Sequence, residues 1–342
     1  MKKKTKKSGP HPHIRHIAVI GDGGWGTTLA IHLAEKGFDT RLWGNFPDYV
    51  EKVRQVRFNE KFLPGVPIPE QVILTSDLRA AMDGADLVVL AVPSQFLTGV
   101  LKRIPPLETK NKIFLSVIKG IDTVSLQRVS QIIRQQLGPV KLAVLSGPTI
   151  AGEVAKKIPT TAVIASPDLK IAQKLQNVFN ASHFRIYTNT DVAGVEIGGS
   201  LKNIIAIACG VCDGLGFGTN AKAAILTRGL VEMARLGKAL GAREETFAGL
   251  TGLGDLVTTC VSPQSRNRSV GEQLGKGRTI EEIKSSMEMV AEGVETVKAA
   301  YRLSRKHRIA MPITAEIYNI LYKGKKPQAA VSALMSRKAK TE

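Results

Sequence analysis

Four glycines fall within six residues, Gly21, Gly23, Gly24 and Gly26, in the stretch IAVIGDGGWGTTLAIHLAEKG, and they constrain this chain more than any other feature. Glycine is the costliest residue to order, so a cluster between an apolar run and a helical pattern needs a steric reason. Gly21-x-Gly23-x-x-Gly26 directly follows HIAVI, which reads as a strand, and opens the helical pattern TTLAIHLAEK. That context turns a weak pattern into the fingerprint of a dinucleotide-binding turn. The first glycine makes the tight turn, the second admits a pyrophosphate against backbone, and the third lets helix and strand pack closely. The helix N-terminus adds free N–H groups and a partial positive charge. A tight structural turn without a ligand is the competing reading.

The rest of the first half has the rhythm such a turn requires. HIAVIG, DTRLWG, ADLVVLAVP, KIFLSVIKG, KLAVLSGP, TAVIAS and FRIYT read as strands, several apolar throughout, as when helices cover both faces of a parallel sheet. TTLAIHLAEKG and SLQRVSQIIRQQLG read as helices closing on a glycine. Around Asp191 strands give way to helical patterns, among them GVEIGGSLKNIIAIACG, TRGLVEMARLGKALG, VETVKAAYRLSRKH and TAEIYNILYKG. The expected fold class is α/β: an N-terminal Rossmann-type doubly wound sheet followed by an all-α C-terminal domain. Its divisions are a disordered basic tail over 1–13, a dinucleotide-binding domain over 14–193 and a helical substrate domain over 194–342. LTGLGDLVTTCVSPQSRNRS reads as a long Gly-rich loop within the helical half. Loops of that length in compact domains are usually functional or disordered.

Composition narrows the class. With 43% hydrophobic and 23% charged residues among 342, the chain is a folded, soluble protein large enough for two domains. The formal charge of +19 raises polyanionic partners, but Lys2, Lys3, Lys4, Lys6, Lys7 and Arg15 lie in an unpatterned opening segment that lacks the apolar centre of a secretory signal. A solvated tail, or one weakly drawn to anionic surfaces, accounts for that segment. Cys209, Cys212 and Cys260 are too few for a disulfide framework and suit a reducing cytosol. The C-x-x-C at 209–212 lies in an apolar run without a second ligand pair, so it reads as buried thiols, and no metal is expected. No uninterrupted apolar stretch approaches the roughly 18 residues of a spanning helix. The expected location is cytoplasmic.

The identity of the dinucleotide stays open. An NAD site normally has Asp or Glu at the end of the second strand. Here DTRLWGN ends on Gly44 and Asn45, Asp39 lies too early, and no arginine follows to meet a 2′-phosphate. Asn45 suits either NAD or NADP.

Trp25 before the third glycine makes the narrower pattern G-x-G-x-W-G. AVPSQ at 91–95, KGI at 119–121, LSGPTIAGE at 145–153, IGGSLKNIIAIACG at 197–210, GLGDLVTTC at 252–260, QSRNR at 264–268, AEG at 291–293 and MPIT at 311–314 continue it. In these motifs the chain resembles the bacterial type of NAD(P)-dependent glycerol-3-phosphate dehydrogenase, from Ile14 to the final helix. The resemblance implies reversible reduction of dihydroxyacetone phosphate to sn-glycerol 3-phosphate, the backbone of glycerophospholipids. It implies a small-molecule substrate and no nucleic acid, and it is compatible with a homodimer.

Ketone reduction needs a hydride donor, a proton donor and cations for the phosphate. Lys202 reads as opening the helical run LKNIIAIA, where apolar neighbours would lower its pKa; a lysine snorkelling from a helix end is the plainer reading. The resemblance gives Lys202 the catalytic proton role. It assigns Lys119, beyond the strand KIFLSVI, to both substrate and cofactor, where a plain surface lysine is the alternative. It places Gly147, Thr149 and Asp255 at the substrate and Ala151 at the cofactor, with Asp255 able to orient Lys202 through charge. Ser265, Arg266 and Asn267 combine a hydroxyl, a guanidinium and an amide suited to a phosphate, and Arg266 is also assigned to the cofactor. Gly21, Gly23, Gly24, Trp25, Gly26, Asn45, Val290 and Glu292 complete the implied cofactor set. Glu292 reads equally as a helix-start residue. Two other classes stay in view: a dehydrogenase of the same two-domain plan acting on a 3-hydroxy acid or sugar acid, and a dinucleotide-sensing regulator binding nucleic acid through its basic surface.

Overall fold

A computed structural model describes residues 14–105, 109–287 and 291–338. The expected basic tail over 1–13 lies outside them. The first half alternates β1 (His16–Ile20), α1 (Gly24–Glu35), β2 (Asp39–Trp43), α2 (Pro47–Val56), β3 (Val72–Thr75), α3 (Leu78–Met82), β4 (Leu87–Leu90) and α4 (Ser94–Leu101). It continues with β5 (Ile113–Ser116), α5 (Val129–Leu137), β6 (Lys141–Ser146), α6 (Ala151–Ala155), β7 (Thr160–Ala165), α7 (Leu169–Phe179) and β8 (Phe184–Asn189). The strands form one sheet of order β3-β2-β1-β4-β5-β6-β7-β8. All neighbours are parallel except β6 and β7. Chain order reverses between β1 and β4, and crevices at such switch points hold ligands.

The unbroken apolar runs have a simple cause. Ile17 and Val19 of β1, with Leu87 and Val89 of β4, enter the core under α1 and α7, whereas Ala18, Ile20, Val88 and Leu90 enter the core under α3, α4 and α5. Alternate side chains thus meet a covered face on either side. The edge strand β3 escaped the sequence reading because it leaves Ile73 half exposed and so lacks the continuous apolar run of the equally short β4 and β5. SLQR is likewise not helical: α5 begins at Val129, and Ile121 pairs instead with Arg128 in an isolated bridge.

The second half is helical among the described residues: α8 (Val192–Gly214), α9 (Thr219–Ala239), α10 (Asp255–Val261), α11 (Arg266–Gly275), α12 (Ile280–Ser285), α13 (Glu292–Lys306), α14 (Pro312–Lys323) and α15 (Pro327–Met335). Asp191 caps α8, accepting from Gly194 N–H at 2.9 Å. α8 is long and apolar enough to cross a membrane by length and composition, but its most apolar window is wholly buried inside the protein. The other helices wrap it. α11 crosses so closely that a Cβ on Gly210 would strike the Arg268 carbonyl oxygen and stand 2.8 Å from Glu272 N.

The expected Gly-rich loop is not a loop. Residues Leu250–Gly254 form a π-helical turn running into α10, and only a short turn separates α10 from α11. The glycines here serve close approach rather than irregular backbone. Gly252 lies against the Phe247 backbone, and a Cβ on Gly198 of α8 would stand 2.5 Å from the Thr251 carbonyl oxygen.

The α8–α11 contact is testable by thermal unfolding. Gly210→Ala overpacks the crossing and should cost about 1–3 kcal/mol, lowering Tm. Gly99→Ala is the matched control, since its Cβ on exposed α4 meets nothing within 4 Å; it should leave Tm unchanged or raise it. Equal Tm values for Gly210→Ala and the unaltered protein would sink the close-contact account.

Candidate active site

Every parallel strand from β1 to β6 delivers its C-terminal neighbours to the same sheet edge: Gly21 after β1, Asn45 after β2, Ser94 after β4, Lys119 after β5 and Gly147 after β6. Gly21 takes the positive φ (122°) of the tight turn, and its N–H donates to the Trp43 carbonyl at 2.9 Å. A Cβ on Gly26 would strike the Gly21 carbonyl oxygen and stand 3.2 Å from Ala91 Cβ, so helix and sheet need that glycine. A Cβ on Gly24, at the start of α1, would likewise stand 2.5 Å from the Phe62 carbonyl oxygen. Gly23 differs: a Cβ there meets nothing within 4 Å, and as N-cap of α1 it offers no side chain to the helix end. The chain itself gives Gly23 no steric reason. An uncapped helix N-terminus opening on free space fits a pyrophosphate.

α1 therefore starts at Gly24, earlier than the pattern TTLAIHLAEK suggests, and takes Trp25 into its first turn. The indole is half-buried, edge-on to Phe184 at 6.3 Å, and its Nε1–H has no partner among the described residues. Ala151 opens α6 beside this turn: its Cβ would lie 3.8 Å from one added at Gly24, and its carbonyl accepts from Thr28 Oγ1 at 3.2 Å. Asn45 is exposed, and its Oδ1 accepts from Arg103 Nη1 at 2.9 Å. Asp39 sits at the opposite end of β2, paired with His16 at 2.7 Å.

Facing this edge, α8 carries Lys202 in its middle rather than at its opening, and buries it. The ammonium does not snorkel. Lys202 Nζ donates to Asp255 Oδ1 and, at 2.7 Å, to Thr259 Oγ1. Burial pushes its pKa down to about 8; Asp255 opposes that shift and the charge of Lys119 adds to it. Asp255 is the first residue of α10, and its second oxygen accepts from Lys119 Nζ at 2.8 Å. Lys119 also donates to the Gly147 carbonyl at 3.2 Å, which Thr149 Oγ1 reaches at 3.1 Å. Residues from the sheet edge and two helices thereby converge on one carboxylate.

The loop carrying Lys119 is held by α8. Ser200 Oγ accepts from Gly120 N–H at 2.9 Å and donates to the Glu196 carbonyl at 2.7 Å. Ser146 Oγ, at the end of β6, is buried without a partner among the described residues.

Ser265, Arg266 and Asn267 lie at the start of α11. Ser265 is its N-cap, accepting from Arg268 N–H at 3.2 Å, and keeps its own O–H to donate. Asn267 is buried, and its Oδ1 accepts from Gly293 N–H at 2.9 Å, tying α11 to α13. Arg266 is exposed, and its guanidinium has no hydrogen bond or ion pair among the described residues. Glu292 opens α13; burial raises its pKa, opposed by the nearby charges of Arg266, Lys119 and Lys202. Val290 falls outside the described residues. A cavity of about 490 Å³ lies between the two halves, lined by Ser94, Gln95 and Ile121 on one side and Lys284, Val294 and Glu295 on the other.

Sequence reasoning missed Thr259, whose signal was available: it follows Asp255 by four residues, one helical turn on the same face. It also missed Arg103, which only the tertiary structure brings beside Asn45. The three cysteines are buried free thiols; burial raises Cys212 to about 11, and Cys260 is raised by its hydrogen bond with Cys209 and by burial.

Comparisons with known proteins agree over both halves. The family model of the NAD-dependent glycerol-3-phosphate dehydrogenase N-terminus matches residues 16–172, and that of the C-terminus matches 191–332. Glycerol-3-phosphate dehydrogenase [NAD(P)+] of Geobacillus kaustophilus is 48% identical over 332 residues, covering 96% of each chain. The protein of the same name from Chlorobium limicola is 48% identical over 330 residues, covering 96% of this chain and 99% of its own. The crystal structure of glycerol-3-phosphate dehydrogenase from Coxiella burnetii superimposes with a TM-score of 0.91 at 40% identity, covering 94% of this chain and 99% of that one. The glycine turn, the paired Lys119 and Lys202 and the helical half thus occur together in a chain that belongs to the NAD-dependent glycerol-3-phosphate dehydrogenase family.

Proposed function

We propose that this chain reduces dihydroxyacetone phosphate to sn-glycerol 3-phosphate, reversibly, with NADH or NADPH. The observation that carries the mechanism is the buried Lys119–Asp255–Lys202 cluster beside the crevice at the sheet edge. A nicotinamide dinucleotide held at the glycine turn would supply the hydride for the carbonyl carbon. Lys202 Nζ gives its proton to the carbonyl oxygen, and in the reverse direction the neutral amine takes it from the hydroxyl. Asp255 and Thr259 orient that ammonium, and Lys119, held by Asp255 and the Gly147 carbonyl, binds substrate next to it. Thr149 and Gly147 contact the substrate from the sheet side. Arg266, exposed at the first turn of α11, meets the phosphate with a planar guanidinium backed by a helix N-terminus, and Ser265 O–H and the Asn267 amide donate to it. Gly21, Gly23, Gly24, Trp25, Gly26 and Ala151 hold the dinucleotide, with Asn45 at its adenosine end and Glu292 reaching it from the helical half.

The dinucleotide-binding domain extends over 14–193 and the substrate domain over 194–342 in this reading. A cytoplasmic setting suits three free thiols. A homodimer suits the exposed Leu253, Val257 and Val261 around α10, and sedimentation at the monomer mass would remove that part. A 3-hydroxy acid or sugar acid substrate, and nucleic-acid binding, are disfavoured by the family match over both halves.

Nicotinamide absorbance with dihydroxyacetone phosphate and each reduced cofactor in turn tests substrate and reaction together. Lys202→Ala should lower kcat by about 10²–10⁴-fold while cofactor binding, read by fluorescence, stays near normal. Because Lys202 must be protonated to reduce and neutral to oxidise, reduction should fall as pH rises through about 8 and oxidation should climb there. A flat profile in both directions would falsify the proton-transfer role. Arg266→Ala should raise KM for dihydroxyacetone phosphate by about 10–100-fold, the worth of a charged hydrogen bond; an unchanged KM counts against the phosphate assignment.

A further inference from the structure

The adenosine end of the crevice lacks the usual acid at the end of β2, where Trp43 is followed by Gly44 and Asn45. The space directly over Gly44 is filled from another part of the chain. A Cβ on Gly44 would collide with Asp22 Oδ2 and stand 2.6 Å from both Asp22 Cγ and Val50 Cγ2. Asp22 is the residue between Gly21 and Gly23 in the glycine turn, so Gly44 lacks a side chain where the Asp22 carboxylate needs room. The two residues form one feature.

The main chain of Asp22 is clamped. Its carbonyl accepts from Asn59 Nδ2 at 2.7 Å and from Thr27 Oγ1 at 3.2 Å, and Tyr49 O–H fixes Asn59 by donating to Oδ1 at 2.6 Å. Among the described residues no side chain donates to the carboxylate. Burial raises its pKa, opposed by its own backbone N–H and by the charge of Lys61. Here is a positioned, half-buried acceptor with hydrogen-bonding capacity to spare.

We propose that Asp22 takes the place of the missing β2 acid, accepts the adenosine ribose hydroxyls, and makes this chain prefer NADH over NADPH. The inference rests on the dinucleotide-site reading above. A carboxylate accepts ribose hydroxyls well, whereas a 2′-phosphate would bring a second anion against it in a poorly solvated corner. Two cations oppose this choice. Lys61 lies near Asp22, and Arg103 stands over the Trp43 ring at 5.2 Å while donating to Asn45. Arg103 and Asn45 are exposed, so solvent and salt weaken their attraction for a phosphate more than they relieve the repulsion at Asp22.

The test is direct binding of NADH and of NADPH, read by nicotinamide fluorescence without ketone substrate, on the unaltered protein, Asp22→Asn, Asp22→Ser and Arg103→Ala. The unaltered protein should bind NADH about tenfold or more the tighter. Asp22→Ser should close most of that gap, chiefly by tighter NADPH binding, and Arg103→Ala should preserve the preference. Asp22→Asn keeps the shape over Gly44 and removes only the charge, so it should narrow the gap even where Asp22→Ser folds poorly. Equal binding of the two cofactors by the unaltered protein, tighter NADPH, or an unchanged ratio in a folded Asp22→Asn would overturn the proposal. Absence of turnover with dihydroxyacetone phosphate overturns the proposed reaction instead, and leaves the binding ratio to decide the role of Asp22.

Discussion

One carboxylate holds the two halves of this molecule to a common purpose. Asp255 accepts from Lys119 at the sheet edge and from Lys202 in the middle of α8, and it is itself buried at the start of α10. Burying three charges is costly, and it is tolerated only where each has partners. Lys202 has Thr259 as well, and Lys119 has the Gly147 carbonyl. Removing one member of such a buried cluster typically costs about 3–5 kcal/mol, because a charge is left uncompensated. Three cations, Lys119, Lys202 and Arg266, also face two carboxylates, Asp255 and Glu292, which leaves the crevice net positive. The geometry that closes the halves therefore also attracts a phosphorylated substrate.

α8 makes that arrangement rigid. It is buried along its length, and several of its polar residues bond to different neighbours. Glu196 accepts from Arg128 Nη1, Ser130 N–H and Ser130 Oγ, which fixes the start of α5, while Ser200 fixes the loop of Lys119. The close α8–α11 crossing carries the first turn of α11, with Arg266, toward the same face. Asn267 then joins that turn to α13 through Gly293. Lys202 is held by packing on a long helix, so its nitrogen has little freedom to leave Asp255.

Much of this was legible in the residues because it is local. The glycine turn followed a strand and opened a helix, and the apolar runs reported a sheet covered on both faces. The motif residues Lys119, Gly147, Lys202 and Asp255 were legible too, and the structure brings them together. Errors clustered where sequence-distant backbone sets the local choice. Gly252 looked like loop chemistry because glycine is usually a breaker, yet it sits in a helical turn pressed against Phe247. Lys202 looked like a helix opening because three glycines and serine precede LKNII nearby, yet those small residues serve close packing of a helix that began at Val192. The edge strand β3, exposed on one face, had no continuous apolar run to mark it.

By itself the sequence determined the alternation of strand and helix and the dinucleotide turn, since each depends on spacing within one element; the polar residues for chemistry came from the family resemblance that its motifs carry. Only the tertiary structure decided which of those residues meet. It paired Lys202 with Thr259, and set Asp22 over Gly44 and Arg103 beside Asn45, contacts that join positions from 22 to 58 residues apart. Spacing along the chain carries no distance information across such gaps. The fold supplies it, through the register of β1 on β2 and the depth at which α8 is buried.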